Sequence, residues 1–377
     1  MTPVRVLANL YWLVPGRVGG SEEYTVRLLA AVASAGAADV QVTVAAGTSA
    51  VAAPREHPAR AVERLGGPTD RRPVRLVLES TVLALRSRPF DLVHHFGGRI
   101  PAVRGAPAVV TIHDLQPLDL PGNFSRVKRA YLGRALPRSA RAARLVVTPS
   151  RWVADRVVDR LGVDPARVRA VPSTYDVATH ATTPEDPTTD PVLAALGDDP
   201  VVLYPAMTHP HKDHATLIEA YRRVRDAHPG VRLVLTGAAG RSHEAVMRLV
   251  AATQGATHLG RVPGDRMVRL VARADALAFP SRYEGFGLPV LEAMRAGTPV
   301  VAAAATALPE IVGRAGALVE PGSVGEWADA IDEALSGGAE VRRRVTEARD
   351  RAGEHAPDRA AGRLLTAWRD VLVEPAG

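Results

Sequence analysis

At 377 residues, 46% of them hydrophobic and 23% charged, the chain has apolar material for two globular domains of roughly 100 to 200 residues each, which excludes a disordered or fibrous protein. Its 47 basic and 40 acidic residues give a net charge of +7, and the absence of cysteine removes disulfide frameworks, thiolate nucleophiles, cysteine-ligated zinc and iron–sulfur clusters together. Only two of the basic residues, Lys128 and Lys212, are lysines. The longest uncharged stretch, Val40–Pro54, is 15 residues with Gln, Thr, Ser and Gly inside it, short of the roughly 20 apolar residues that a membrane span requires. The first residues lead into a Gly-rich loop rather than a small-residue cleavage site, so no leader is expected. The expected location is the cytoplasm, with room for peripheral contact at the inner face of the membrane.

Short Val- and Leu-rich runs alternate with amphipathic stretches, the pattern of parallel strands covered by helices on both faces, and the expected fold class is α/β. The first strand candidate is Val4–Leu10. Gly16-Arg-Val-Gly19-Gly20-Ser21-Glu22 follows it and opens a helix over Glu22–Ser34, with glycines that let backbone approach a ligand closely. The loop is not the G-x-G-x-x-G fingerprint, and no acidic residue closes the next strand, Val40–Ala45, which disfavours a nicotinamide dehydrogenase. Further strands are read at Leu92–His95, Val109–His113, Leu145–Thr148 and Val168–Val171. Between Leu120 and Ala154 eight basic residues, Arg126, Lys128 and Arg129 among them, meet no acidic one. A solvated surface is the plain explanation of that run; contact with an anionic membrane or a lipid-diphosphate acceptor is the sharper one. Nucleic acid is not an expected partner, because no aromatics interleave. A helix over Arg151–Leu161 starts behind Ser150 as N-cap and stops at Gly162. The Pro-, Thr- and Asp-rich segment 181–200 reads as a linker between domains 1–180 and 201–355. Strands resume at Val201–Tyr204, Val231–Thr236, Ala276–Pro280 and Val300–Ala303, and a helical tail, 356–377, is expected to pack back on the first domain.

The strongest chemical feature is Pro280-Ser-Arg-Tyr-Glu284-Gly-Phe286-Gly287-Leu288-Pro289-Val-Leu-Glu292, which runs on to Gly297. A strand ends, a Gly-rich loop follows, and Pro289 stands where a first helical turn favours proline. The loop thereby presents backbone N–H groups at a helix N-terminus, where a diphosphate is the natural guest. Glu284 and Glu292 flank that end; as hydrogen-bond acceptors they suit the hydroxyls of a sugar and a ribose, although a pair of carboxylates could simply favour the positive helix end. His113 closes an apolar strand, so its ring is expected at the carboxyl edge of the sheet, where open α/β folds bind ligands; a strand-end histidine bonded to backbone is the plainer alternative. His94 and His95 have no assigned role beyond an acceptor-side contact. His209, His211 and His214 cluster, but no carboxylate or cysteine completes a zinc pattern, and no metal is expected.

Glu284 and Glu292, seven residues between them, lie in EGFGLPVLEAMRAGTPVVA, which closely resembles the signature of the retaining GT-B glycosyltransferases often called family 4. The likeness extends in order through GGSEEYTVRLL, VVTIHDLQPLDLP, VVTPSRWVADRV, YPAMTHPHKDHATLIEAY and LPEIVGRAGALVEPGS. It implies two Rossmann-like domains facing a central cleft, the first binding an acceptor and the second a nucleotide-diphosphate sugar, with the sugar transferred with retention and without metal or other cofactor. By the same resemblance Lys212 stabilises the leaving diphosphate, as do the Phe286, Gly287 and Leu288 backbone groups. Glu284 takes the transferred sugar, Glu292 the ribose and Val262 the base, while His113, Gly19 and Gly20 complete the cleft. The arginine that many members carry upstream of the lysine is missing from Tyr204-Pro-Ala-Met-Thr, which either weakens the phosphate clamp or leaves His209, His211 or Arg282 to complete it. The PHKDH segment looks most like bacterial mannosyl- and rhamnosyl-type enzymes, pointing to GDP-mannose and a glycan, lipid-linked or small-molecule acceptor. A non-catalytic sugar-nucleotide-binding protein and an epimerase of the same fold remain the alternatives.

Overall fold

The computed structural model describes residues 3–14, 19–47, 61–65, 72–175 and 190–373. The chain divides into two compact units, Met1–Thr174 with Ala356–Gly377, and Tyr175–His355.

Unit 1 is built on a sheet of β1 (Val4–Asn9), β2 (Val40–Gly47), β3 (Ala61–Leu65), β4 (Leu92–His95), β5 (Ala108–Thr111), β6 (Leu145–Thr148) and β7 (Val168–Ala170) in the order β3-β2-β1-β4-β5-β6-β7. Every neighbouring pair is parallel. The central strands are buried on both faces, which is why they read as unbroken apolar runs rather than alternating ones. The helix Gly20–Ala35 lays Tyr24, Leu28 and Val32 into the core, and Gly36 ends it in the left-handed region at φ 60°. The helix Arg151–Leu161 begins where the Ser150 hydroxyl accepts from the Val153 N–H at 3.2 Å, a cap worth about 1 kcal/mol. It buries Val153, Val157 and Leu161 on one face and stops at Gly162.

The closing helix Pro357–Val373 belongs to the core of unit 1, with Ala361, Leu364 and Trp368 packed among Leu28, Phe96 and Val147. The Trp368 indole N–H donates to His94 Nδ1 at 3.0 Å. Since that nitrogen accepts, His94 Nε2 carries the proton and donates to Thr111 Oγ1 at 2.8 Å. His94 is therefore a neutral core residue, and burial drives its pKa well below the usual value. His95, 3% exposed, lies 3.0 Å from the Asn9 amide, and burial lowers its pKa to about 3. The acceptor-side contact expected of these two histidines is thus corrected: both are inside the fold, because both faces of β4 are covered.

Unit 2 has β8 (Val201–Pro205), β9 (Arg232–Thr236), β10 (Ala256–His258), β11 (Ala276–Phe279), β12 (Val300–Ala303) and β13 (Ala317–Val319) in the order β10-β9-β8-β11-β12-β13, again all parallel. Strand order reverses between β8 and β11, and the crevice outside the carboxyl ends of such a pair is where doubly wound sheets take ligands. Of the expected linker, 181–189 lie outside the described residues, whereas 190–200 are part of unit 2. Asp190 caps the short helix Pro191–Ala194, pairs with Arg266 at 2.7 Å and Arg269 at 3.2 Å, and Leu193 and Leu196 enter the core.

Candidate functional site

The switch point of unit 2 gathers two loops. After β8 the chain makes a tight turn over Pro210–Lys212, and Asp213 adopts the left-handed region at φ 49° before the helix His214–Ala227. Two bonds hold that strained residue: the Asp213 carboxylate accepts from Thr216 Oγ1 at 2.9 Å and from Arg282 Nε at 2.7 Å. The Lys212 carbonyl accepts from the buried Tyr204 hydroxyl at 2.6 Å. With its backbone so clamped, Lys212 carries its ammonium to the Glu284 carboxylate, forming a direct ion pair, 5.8 Å from the centre of the Phe279 ring. The two side chains are only 17% and 14% exposed.

Glu284 is anchored through its N–H, which donates to Thr306 Oγ1 at 2.9 Å. Beyond it, Phe286 and Leu288 turn their side chains into the core, so their contribution to a ligand is backbone. Gly287 stands between them at φ 109°, a backbone angle that favours glycine, and a β-carbon there would also have to displace the Leu308 Cδ2 methyl, 2.7 Å away. Gly287 caps the helix Leu288–Ala296, with Pro289 in the first turn and Gly297 ending it at φ 83°. The helical ladder starts with the Val290 N–H on the Gly287 carbonyl at 3.0 Å, so the Gly287 and Leu288 N–H groups stand outside it. Half-buried Glu292 lies one turn inside the helix, and half-buried Val262 packs at the margin of the core after β10.

Of the three groups left to complete the clamp, His209 has its ring stacked on His211, centroids 5.7 Å apart. Arg282 is held by Asp213, and burial with the adjacent Lys212 charge lowers the His211 pKa to about 3, which leaves that ring neutral. His214 is buried, and burial, then nearby His258, lowers its pKa to about 3. No group of three or more His, Asp or Glu side chains suited to a metal ion occurs among the described residues.

In unit 1, β5 ends at Thr111, so His113 lies just past the strand instead of closing it. Its Nε2 is 2.8 Å from the Phe96 carbonyl, which can only accept, so that nitrogen bears the proton. The ring sits 5.8 Å from Trp12 and edge-on to Tyr24 at 5.2 Å, and burial lowers its pKa to about 4. His113 is thus an uncharged, oriented imidazole at neutral pH. Gly19, at φ 77°, caps the helix Gly20–Ala35 and accepts from the Glu22 N–H at 2.9 Å; Gly16, Arg17 and Val18 lie outside the described residues. The basic run becomes the helix Arg126–Ala142, capped by Ser125, whose first five residues are all exposed, Val127 at 81% included. Among the described residues no helix is long and apolar enough to cross a membrane.

Sequence reasoning did not find Tyr204, Asp213 or Thr306, which fix the backbone of the two site loops. Asp213 and Thr306 both take φ above zero, but aspartate is only enriched in that region and β-branched threonine is rare there, so neither marks the turn as a glycine does.

The two units answer to two family models. Residues 18–179 match Glycosyltransferase Family 4 and residues 186–354 match Glycosyl transferases group 1, and the chain belongs to this GT-B family of glycosyltransferases. Its similar relatives include the O-antigen chain mannosyltransferase B of Escherichia coli, 33% identical over 244 residues that cover 62% of this chain and 62% of that protein. The D-inositol 3-phosphate glycosyltransferase of Mycobacterium sp. strain JLS is 37% identical over 216 residues, covering 54% of this chain and 47% of the relative. The match therefore spans less than two thirds of the length of these relatives. Among solved structures, Anabaena HepE, determined with UDP and glucose, superposes with a TM-score of 0.76 at 21% identity, covering 97% of this chain and 100% of that one. A glycosyltransferase from Rickettsia africae gives 0.76 at 17% identity over the whole of both chains. At such identities the shared property is the fold.

Proposed function

We propose that this protein is a retaining, metal-independent glycosyltransferase that moves a hexose from a nucleotide-diphosphate sugar to an acceptor hydroxyl. The observation that carries the reading is the meeting of Lys212, Glu284 and the Gly287 helix start at the switch point of unit 2. A diphosphate set against Lys212 and the free N–H groups of Gly287 and Leu288 finds fixed positive charge where its own negative charge grows as the glycosidic bond breaks, the point at which electrostatics accelerate a reaction most. Because a lysine and a helix end supply that charge, no metal is required for it. Glu284 accepts from a hydroxyl of the transferred sugar, Glu292 from the ribose, and Val262 flanks the base. His113, Gly19 and Gly20 are the unit 1 residues of the same reading, with His113 serving as a neutral hydrogen-bonding group.

No side chain is assigned as nucleophile. The bond from the sugar's anomeric carbon to the leaving phosphate breaks, the acceptor oxygen bonds to that carbon on the same face, and its proton passes to the leaving phosphate oxygen. GDP-mannose is the favoured donor, supported by the likeness to a protein named as a mannosyltransferase. The same relative supports a glycan acceptor, and the D-inositol 3-phosphate enzymes support a small phosphorylated one. Nucleoside diphosphate release from GDP-mannose and UDP-glucose, measured with and without candidate acceptors in EDTA, tests the reading. Acceptor-dependent release with one of them in EDTA, and an α-configured product, is the expected result. Activity that falls to background in EDTA and returns with Mg²⁺ would refute metal independence, and donor turnover to an isomer without release would make the protein an epimerase.

A further inference from the structure

The Lys212–Glu284 pair joins two groups that the reading above assigns to different parts of one donor, the diphosphate and the sugar. We propose that Glu284 is a latch on the diphosphate site, holding Lys212 until a nucleotide sugar supplies both a phosphate for the lysine and a hydroxyl for the carboxylate. This inference rests on the proposed function and deepens it: the pair would select intact donor over the nucleoside diphosphate left after transfer.

The backbone on both sides is pinned. Tyr204 holds the Lys212 carbonyl, Asp213 is tied to Thr216 and Arg282, and Thr306 holds the Glu284 N–H. The pair must therefore open by side-chain rotation, with both charges still facing the same small space. It is mostly shielded from water, at 17% and 14% exposure, so an ion that loses its partner there is poorly compensated by solvent. A bare nucleoside diphosphate gives Lys212 a phosphate but leaves Glu284 without its cation and beside new negative charge. A nucleotide sugar brings the same phosphates together with a hydroxyl donor, so both members of the broken pair regain partners. The latch thus penalises the product and spares the substrate, which favours product release.

The test is calorimetric titration of the full chain with GDP, GDP-mannose, UDP, UDP-glucose and inorganic pyrophosphate. In the unsubstituted protein the nucleotide sugar should bind about tenfold more tightly than its own nucleoside diphosphate, the size of one charge-assisted contact. Glu284→Gln, which cannot hold the ammonium as a charge, should tighten the diphosphate and pyrophosphate by about the same factor and erase the preference. In a Lys212→Met background the same substitution should gain clearly less, because no cation remains to be released and only the repulsion between Glu284 and the phosphates is relieved. Equal or weaker diphosphate binding by Glu284→Gln overturns the latch while leaving the donor site standing. Failure of the unsubstituted protein to bind any of the five probes overturns the donor reading itself. Should Glu284→Gln lose its fold by circular dichroism, Glu284→Ser and the ratio of sugar nucleotide to diphosphate in the unsubstituted protein decide the matter, and a ratio near one overturns the latch.

Discussion

Lys212→Met is expected to lower turnover by roughly a hundredfold, because removing one charge-assisted partner of a developing anion costs about 2.7–4 kcal/mol in sites of this kind. Methionine keeps the length and an apolar stem, so the substitution removes the charge that stands 5.8 Å from the Phe279 ring centre with little change of volume. The loss should fall mainly on kcat, because the leaving diphosphate carries more charge in the transition state than in the bound donor. Steady-state kinetics alongside the melting temperature separate this from a folding defect. A folded Lys212→Met protein with unchanged turnover would remove Lys212 from the reaction.

A second large effect is expected far from the chemistry. Trp368→Ala should destabilise unit 1 by about 3–5 kcal/mol, the range for emptying a large aromatic site, and His94 Nδ1 would lose its donor in a fully buried position. Trp368→Phe keeps most of the packing and removes only the indole N–H, so a cost nearer 1–2 kcal/mol is expected of it. Urea unfolding followed by circular dichroism measures both. A Trp368→Ala cost under about 1 kcal/mol would mean that the closing helix contributes little to unit 1, contrary to its place in the core.

What the sequence revealed, and what it did not, follows from where each signal resides. The central strands β1, β4, β5, β6, β8, β9, β11 and β12 are legible as apolar runs because helices cover them on both faces. β10 and β13 are not: each has three residues, with Thr257 and Leu318 turned to solvent, and an edge strand that is half exposed carries no run of its own. Gly162, Gly287 and Gly297 announce themselves because each takes a positive φ that other residues resist. The helix start at Leu288 is equally local, a glycine cap and an early proline, and so was readable with its two glutamates.

The pairing of Lys212 with Glu284 is another matter, since it depends on two loops that meet only when β8 and β11 lie side by side. For the same reason His94 could not be told from a ligand-facing histidine: its partner Trp368 comes from the last helix of the chain. Asp190 has the Pro- and Thr-rich neighbours of a linker, while the arginines that fix it, Arg266 and Arg269, stand on a later helix. In each case composition described the surroundings, and a distant partner decided the role.

The central claim is that the Gly287 helix start and Lys212 form a nucleotide-diphosphate site. Thermal unfolding of the full chain with GDP, UDP, dTDP and ADP at millimolar concentration, repeated with Lys212→Met, tests it most directly, since a ligand that binds only the folded state raises the melting temperature by mass action. One of the four, GDP foremost, is expected to stabilise the unsubstituted protein, and Lys212→Met to lose most of the shift. No shift with any of them, or the same shift with and without Lys212, would contradict it.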